Sequence, residues 1–375
     1  MHVTALELVD FRSYEHAQLE LGRGVNVLIG RNGHGKTNVV EALAYLATSG
    51  SHRVASDQPL IRHGAQQALV RAAVERDGRQ LLLEVEIVPG KGNRARVNKS
   101  PLPRARDLVG VLRTVLFAPE DLMVVRGDPE GRRGFLDDLL VLRTPRLVGV
   151  KADYDRVLKQ RNALLKSVAA TRGNFDTSTL QVWDDRLVEL GSELLEARLQ
   201  LVRDLQEPVG RAYRDLAPDS GEAGLDYRAS WSEGSPLGLL VARESIAAAL
   251  RQALADVARD ERQRGVTLVG PQRDDLLLLL GEHPAKGYAS HGESWSMVLA
   301  LRLASFELLR GGGDDPVLLL DDVFAELDAM RRDRLAEMVR DAEQVVVTAA
   351  VADDIPQALS GRRFTVEPGQ VKRDP

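Results

Sequence analysis

Apolar residues alternate with polar ones from Val3 to Val9. The same period returns over Ala17–Leu21, so both stretches read as strands with one buried face. A third apolar run, Val25–Ile29, follows the turn Gly22-Arg23-Gly24 and leads into a glycine-rich loop, after which Asn38–Ala47 takes helical spacing. Leu69–Val74 and Leu81–Val88 predict a hairpin about the Asp77-Gly78 turn signal, and Val111–Phe117 predicts a short strand closed by Ala118-Pro119-Glu120. Beyond about Leu122 the period lengthens. Pro129–Leu142, Leu147–Val168, Thr179–Leu216 and Arg243–Arg264 carry apolar residues three and four apart and predict helices, interrupted by a β segment near Leu225–Trp231. Strands return at Leu276–Leu280, Pro316–Leu320 and Gln344–Ala349, alternating with helices over Trp295–Arg310 and Ala329–Ala342. The pattern predicts an α/β fold. Both ends of the chain (residues 1–122 and 265–375) build one mixed sheet with a phosphate loop, and a mainly α-helical lobe (residues 123–264) is inserted between them.

Composition narrows the class. The 375 residues exceed what one core usually holds, which agrees with two lobes. With 44% hydrophobic and 28% charged residues the chain reads as an ordinary soluble globular protein. There is no cysteine, which removes disulfides, thiolate metal sites and cysteine nucleophiles and suits a cytoplasmic location. The N-terminus shows no signal-peptide pattern, and no apolar run is long enough to span a bilayer. The net charge of −5 means that any DNA contact must come from local basic clusters.

The loop Gly30-Arg31-Asn32-Gly33-His34-Gly35-Lys36-Thr37 fits G-x-x-x-x-G-K-[ST], and it joins a strand to a helix as that motif requires. Glycines let backbone N–H groups approach a polyphosphate, and the helix N-terminus adds its dipole. The spacing assigns Lys36 to the β- and γ-phosphates and the Thr37 hydroxyl to Mg²⁺, with Asn38 completing the nucleotide-binding stretch. Val317–Asp322 (VLLLDD) is an apolar run ending in two carboxylates, the position where open α/β sheets bind ligands. Asp321 is the candidate Mg²⁺ ligand and Asp322 the candidate to orient or deprotonate the attacking water; with Lys36 they form the candidate catalytic set. Ser290-His291-Gly292-Glu293 opens a helix. By itself it reads as a capping box, Ser290 with Glu293.

Taken together, these blocks resemble the RecF family, relatives of the SMC and ABC-type ATPases. The resemblance rests on LELVDFRSYE (Leu6–Glu15), the stretch Val25–Arg53, LFAPEDLMVVRGDPEGRRGFLD (Leu116–Asp137), DYDRVLKQRNALLK (Asp153–Lys166), TLVGPQRDDLLLLL (Thr267–Leu280), ASHGES (Ala289–Ser294) and LLLDDVFAELD (Leu318–Asp328). It implies an ABC/SMC-type ATPase head that binds ATP and Mg²⁺. Ser290 and Gly292 then belong to a signature loop acting on the ATP of a second subunit, and Asp328 to the D-loop at the same interface. Three positions depart from the family pattern: His291 replaces a glycine, Gln272 stands where a histidine is common, and Val347-Thr348-Ala349-Ala350 lacks a switch histidine, leaving Thr348 as the candidate.

The function implied is that of an ATP-dependent homodimer with slow hydrolysis. It would bind DNA at gapped duplex and single-strand/double-strand junctions and assist RecA loading with RecR and RecO. Candidate DNA contacts are Arg53, Lys91, Arg94, Arg96, Lys99, Arg104 and Arg106, which would neutralise phosphates without reading sequence. Two alternatives stay open at this level: a transporter-type ATPase subunit and an SMC-like DNA tether.

Overall fold

A computed structural model describes residues 1–171, 177–231 and 242–374. Along the chain the elements are β1 (His2–Phe11), β2 (Tyr14–Glu20), β3 (Gly24–Ile29), α1 (Lys36–Thr48), β4 (Ala68–Arg76), β5 (Arg79–Ile87), β6 (Arg94–Val97), β7 (Ser100–Pro101) and β8 (Thr114–Phe117). Then come α2 (Leu122–Arg126), α3 (Pro129–Arg143), α4 (Leu147–Thr171), α5 (Thr177–Leu216), β9 (Ala223–Arg228), α6 (Arg243–Arg264), β10 (Asp275–Leu280), β11 (His283–Pro284) and the short turn α7 (Ala285–Tyr288). The chain ends with α8 (His291–Arg310), β12 (Val317–Leu320), α9 (Ala329–Val339), β13 (Gln344–Ala349), β14 (Arg362–Glu367) and β15 (Gln370–Arg373).

The chain divides into two units. One comprises Met1–Met123, Pro208–Glu222 and Ala289–Pro375; the other comprises Val124–Glu207 and Ala223–Tyr288. This differs from the boundaries drawn on periodicity. Residues 265–288 group with the helical unit because β10 pairs with β9 inside it, and residues 208–222 group with the head. The second boundary falls at Pro208, inside α5, where a helix loses a backbone hydrogen bond.

The head holds two six-stranded sheets rather than the single sheet expected. One has the order β2-β1-β4-β5-β6-β7 and is antiparallel throughout; the other has the order β15-β14-β3-β13-β12-β8 and is parallel except at β15. Their burial patterns explain the split. Every residue of β12 and of β13 is buried, as fits strands covered on both faces, whereas β2 and β4 alternate. Helix α1 is buried without a break from Val39 to Ala47 and touches β8 and β13 of one sheet and β1, β4 and β5 of the other, so it is the layer between them. Buried Gln344 ties the sheets directly. It accepts from Val3 N (2.8 Å) and donates to the carbonyls of Val3 (2.7 Å) and Gly22 (2.9 Å). The strands β14 and β15 close on a turn at Gly369, in a stretch where no element was expected; Phe364 and Val366 are its buried face.

The second unit packs α4 on α6 and α3 on α4 and β10, over a β11-β10-β9 sheet. Its interior is strongly ionic. Arg161 reaches Glu261 (2.6 Å), Asp184 (2.6 Å) and Thr267 (2.8 Å), and Arg198 reaches Asp137 (2.8 Å) and the Pro271 carbonyl (2.7 Å). Asp274 accepts from Tyr227 Oη (2.9 Å) and Ser230 N (2.8 Å). Burial drives its carboxyl up to about 6, and those two donors with Arg198 offset only part of the shift.

This generates a test. A carboxyl whose pKa is raised by folding contributes stability that is present below the unfolded value and lost as pH rises through about 6. Asp274→Asn is therefore expected to be more stable than the parent at pH 8 by about 1–3 kcal/mol, an advantage that disappears toward pH 4. Urea unfolding at both pH values measures it; a variant destabilised at pH 8 contradicts the assignment.

Candidate functional site

Parallel pairing brings the carboxyl ends of β3, β13, β12 and β8 to one edge of the head. Ile29 pairs with Ala349, Leu320 with Val347 and Leu320 with Phe117. The phosphate-loop motif leaves β3 at that edge. Gly30 N donates to Ala349 O (3.2 Å), and His34 N to Arg31 O (3.2 Å). Gly33 and Gly35 take φ of 85° and 108°, conformations that favour glycine. Gly30 is glycine for a different reason: a Cβ there would lie 2.4 Å from the Val366 carbonyl on β14. Arg31, Asn32 and Gly33 are exposed, while Lys36 is buried. Lys36 Nζ donates to the Gly30 carbonyl (2.8 Å) and Asn32 Oδ1 (3.3 Å), curling the loop over it. Helix α1 begins at Lys36 itself, two residues earlier than its periodicity indicated, and no side chain caps it. Uncapped helix-start amides, two left-handed glycines and a buried lysine fit a polyphosphate.

The two carboxylates stand across from this loop. Asp321 is 2% exposed, and its Oδ1 lies 3.2 Å from Thr37 Oγ1. Asp322 Oδ2 lies 3.8 Å from Lys36 Nζ. Thr348, on β13 between the two strands that carry these groups, donates from Oγ1 to Asp321 Oδ1 (2.7 Å) and accepts from Asp322 N (2.8 Å). That second bond holds Asp322 at φ 49°, ψ 22°, a left-handed conformation that aspartate tolerates better than most residues. Burial raises the Asp321 carboxyl to about 6, against the lowering effect of the Thr348 hydrogen bond. The oxygens of Thr37 and Asp321 are hard ligands of the kind Mg²⁺ takes, and they are close enough to share one ion.

Ser290 caps α8 in a complete capping box: its Oγ accepts from Glu293 N (3.2 Å) and its N donates to Glu293 Oε2 (2.9 Å). The residue is exposed, as is His291. Asp328 caps α9, accepting from Arg331 N (2.9 Å), and its other oxygen pairs with the Arg331 guanidinium.

The basic candidates are spread over different surroundings. Arg53 faces the phosphate-loop helix, donating to Asn38 Oδ1 (3.2 Å) and lying 3.4 Å from Glu41. Arg94 and Arg96 sit on β6 opposite Glu86 and Glu84 of β5, in cross-strand ion pairs. Their charge is therefore largely neutralised locally, which the run of Lys and Arg in the sequence did not reveal. Lys91, Lys99 and Arg104 are exposed, and Arg106 is half-buried.

Several side chains were not singled out by the sequence pattern. Glu41 is fully buried on α1, held by Arg12 (Nε 2.7 Å, Nη2 2.5 Å) and Ser51 Oγ (2.5 Å). Burial alone would raise its carboxyl, but the hydrogen bonds from Arg12 and Ser51 win and hold it down. Tyr14 Oη donates to the Gly35 carbonyl (3.1 Å), and Asn38 Nδ2 donates to Ser13 Oγ (2.9 Å), so the β1–β2 turn braces the loop. Arg331 is another. A carboxylate inside an apolar helix, Glu41 on α1, is the one signal that could have pointed to this network.

Thr348→Val removes the donor to Asp321 and leaves the Asp322 N–H without its acceptor. We expect a loss of about 1–3 kcal/mol, with Thr348→Ser retaining most of the stability. Urea denaturation of both variants checks it; a valine variant as stable as the parent contradicts the role assigned to the hydroxyl.

Comparison with known proteins bears on the whole chain. The family model described as RecF/RecN/SMC N terminal domain matches residues 2–369. The DNA replication and repair protein RecF of Streptomyces avermitilis is 56% identical over 377 residues, covering 100% of both chains. The protein of the same name from Frankia alni is 57% identical over 376 residues, again covering 100% of both. A solved structure of the recombination mediator protein RecF-ATP in the RecFOR pathway superposes with a TM-score of 0.89 at 25% identity, over 100% of this chain and 98% of that one. The fold is thus that of an ABC/SMC-type ATPase head with an inserted helical lobe, and the chain belongs to the RecF family.

Proposed function

We propose that this chain pairs with a second copy of itself around bound ATP, and that the pair grips DNA at gapped duplex and single-strand/double-strand junctions. In that state it works with RecR and RecO to load RecA during recombinational repair in the cytoplasm. The observation that carries the reading is geometric. One unit brings Lys36 to 3.8 Å from Asp322 and Thr37 to 3.2 Å from Asp321, while the Ser290 loop stands exposed with its own cap satisfied. The full-length relatives and the ATP-bound relative's fold support it. No helix among the described residues is long and apolar enough to cross a membrane.

The residues divide the work. Lys36 exchanges the Gly30 carbonyl and Asn32 for phosphate oxygens, and the uncapped amides at the start of α1 take the rest of the polyphosphate. Thr37 and Asp321 hold Mg²⁺, which when bound supplies positive charge against the phosphate oxygens. Asp322, with 31% of its side chain exposed, accepts the proton of the attacking water. Ser290 and Gly292 of one chain face the nucleotide of the other, beside Asp328. A symmetric pair buries two such sites at once, and hydrolysis loosens it by removing the shared anion. Lys91, Lys99, Arg104 and Arg106 are the proposed phosphate contacts; Arg53, Arg94 and Arg96 contribute less because each is already paired with a glutamate.

Lys36→Ala is expected to abolish ATP-dependent dimerisation, and Asp322→Asn to keep ATP and the dimer while blocking turnover. Sedimentation velocity with ATP and with ADP, paired with phosphate release, reads both. Sedimentation that ignores ATP in the parent would remove the two-chain site, and normal turnover in Asp322→Asn would remove its assigned role. DNA affinity should rise with ATP and fall steeply with salt. Binding indifferent to both would leave nucleotide binding alone.

A further inference from the structure

The start of α8 and the start of α9 meet at one side chain. Arg331 lies in the first turn of α9. Its Nε donates to Ser296 Oγ on α8 (2.9 Å), its Nη1 pairs with Asp328, and its backbone N donates to Asp328 Oδ1 (2.9 Å). The guanidinium also lies against Gly292, where an added Cβ would stand 3.2 Å from both Nη1 and Nη2. Ser296 is fully buried and Arg331 is 20% exposed, so the fork is fixed from beneath. Glu293 is held down first by the Ser290 backbone and hydroxyl and also by the charge of Arg331, which extends the connection to the capping box. Asp328, Ser296 and Gly292 thus surround one guanidinium. Nearby Met330 is 50% exposed on the same turn of α9.

We propose that Arg331 is a positioning residue that locks the Ser290 loop and Asp328 into one face, so that a partner chain meets both together or neither. The proposal rests on the two-chain ATP site proposed above. The planar fork is what makes arginine suited to this: it donates in two directions at fixed angles, whereas a lysine ammonium offers one compact charge. Gly292 follows from the same packing. A side chain at 292 would press on the fork, while position 291 is open to solvent and accommodates histidine. Because Arg331 touches neither Lys36 nor the paired carboxylates, its work is on closure and not on nucleotide capture.

The test uses the full chain. Arg331→Met and Arg331→Lys are expected to bind a fluorescent ATP analogue as the parent does, and to melt at similar temperatures. Both should weaken ATP-driven dimerisation in sedimentation by about tenfold. Ser296→Ala, which removes only the α8 end of the bridge, should weaken it in the same direction and less. Three results would overturn the role: Arg331→Met dimerising like the parent, Arg331→Lys restoring full dimerisation through charge alone, or loss of nucleotide binding and thermal stability in step with dimerisation. A parent that stays monomeric with ATP overturns the two-chain site itself, and this positioning role with it.

Discussion

The parallel placement of β13 between β3 and β12 is the constraint on which the site depends. Those strands pair because each is a run that cannot face water on either side: all four residues of β12 and all six of β13 are buried. Their register puts the glycine loop and the acidic pair at the same edge, with Thr348 between them. A slip of one residue would turn Thr348 away and break the contacts that hold Asp321 and Asp322. The chemistry of the site is thus a consequence of sheet pairing between two ends of the chain that are nearly three hundred residues apart.

Around that edge the protein separates two tasks. The phosphate-loop side is internally braced, by Tyr14 on Gly35, by Ser13 on Asn38 and by Arg12 on buried Glu41. The Ser290 side is finished as a surface: its helix is capped by its own residues, and Arg331 ties it to Asp328.

How much of this was legible in the sequence follows from the range of each interaction. The glycine loop and VLLLDD are local patterns whose spacing dictates their geometry, and both landed on the expected strand ends. The helices of the inserted lobe were also visible, because burial on one face leaves a period. Pairing between distant segments leaves no period. Arg94 and Arg96 read as free positive charge until β6 was seen beside Glu84 and Glu86. Residues 265–288 read as head until β10 was seen paired with β9. The strands β14 and β15 leave only a short alternation around Phe364 and Val366, and six residues of alternation carry little weight without a partner strand. Arg331 leaves no pattern of its own in the sequence; only the position of α8 shows what it holds.

If the nucleotide site is shared between two chains, mixing two inactive variants restores it. One variant carries Lys36→Ala and the other Ser290→Arg. In a shared site, a mixed pair joins the intact phosphate loop of one chain to the intact Ser290 loop of the other and restores one working site. The account predicts that each variant alone lacks ATP turnover and that the mixture recovers it. A mixture as inactive as its components would show that both halves must lie on the same chain, and would contradict the account.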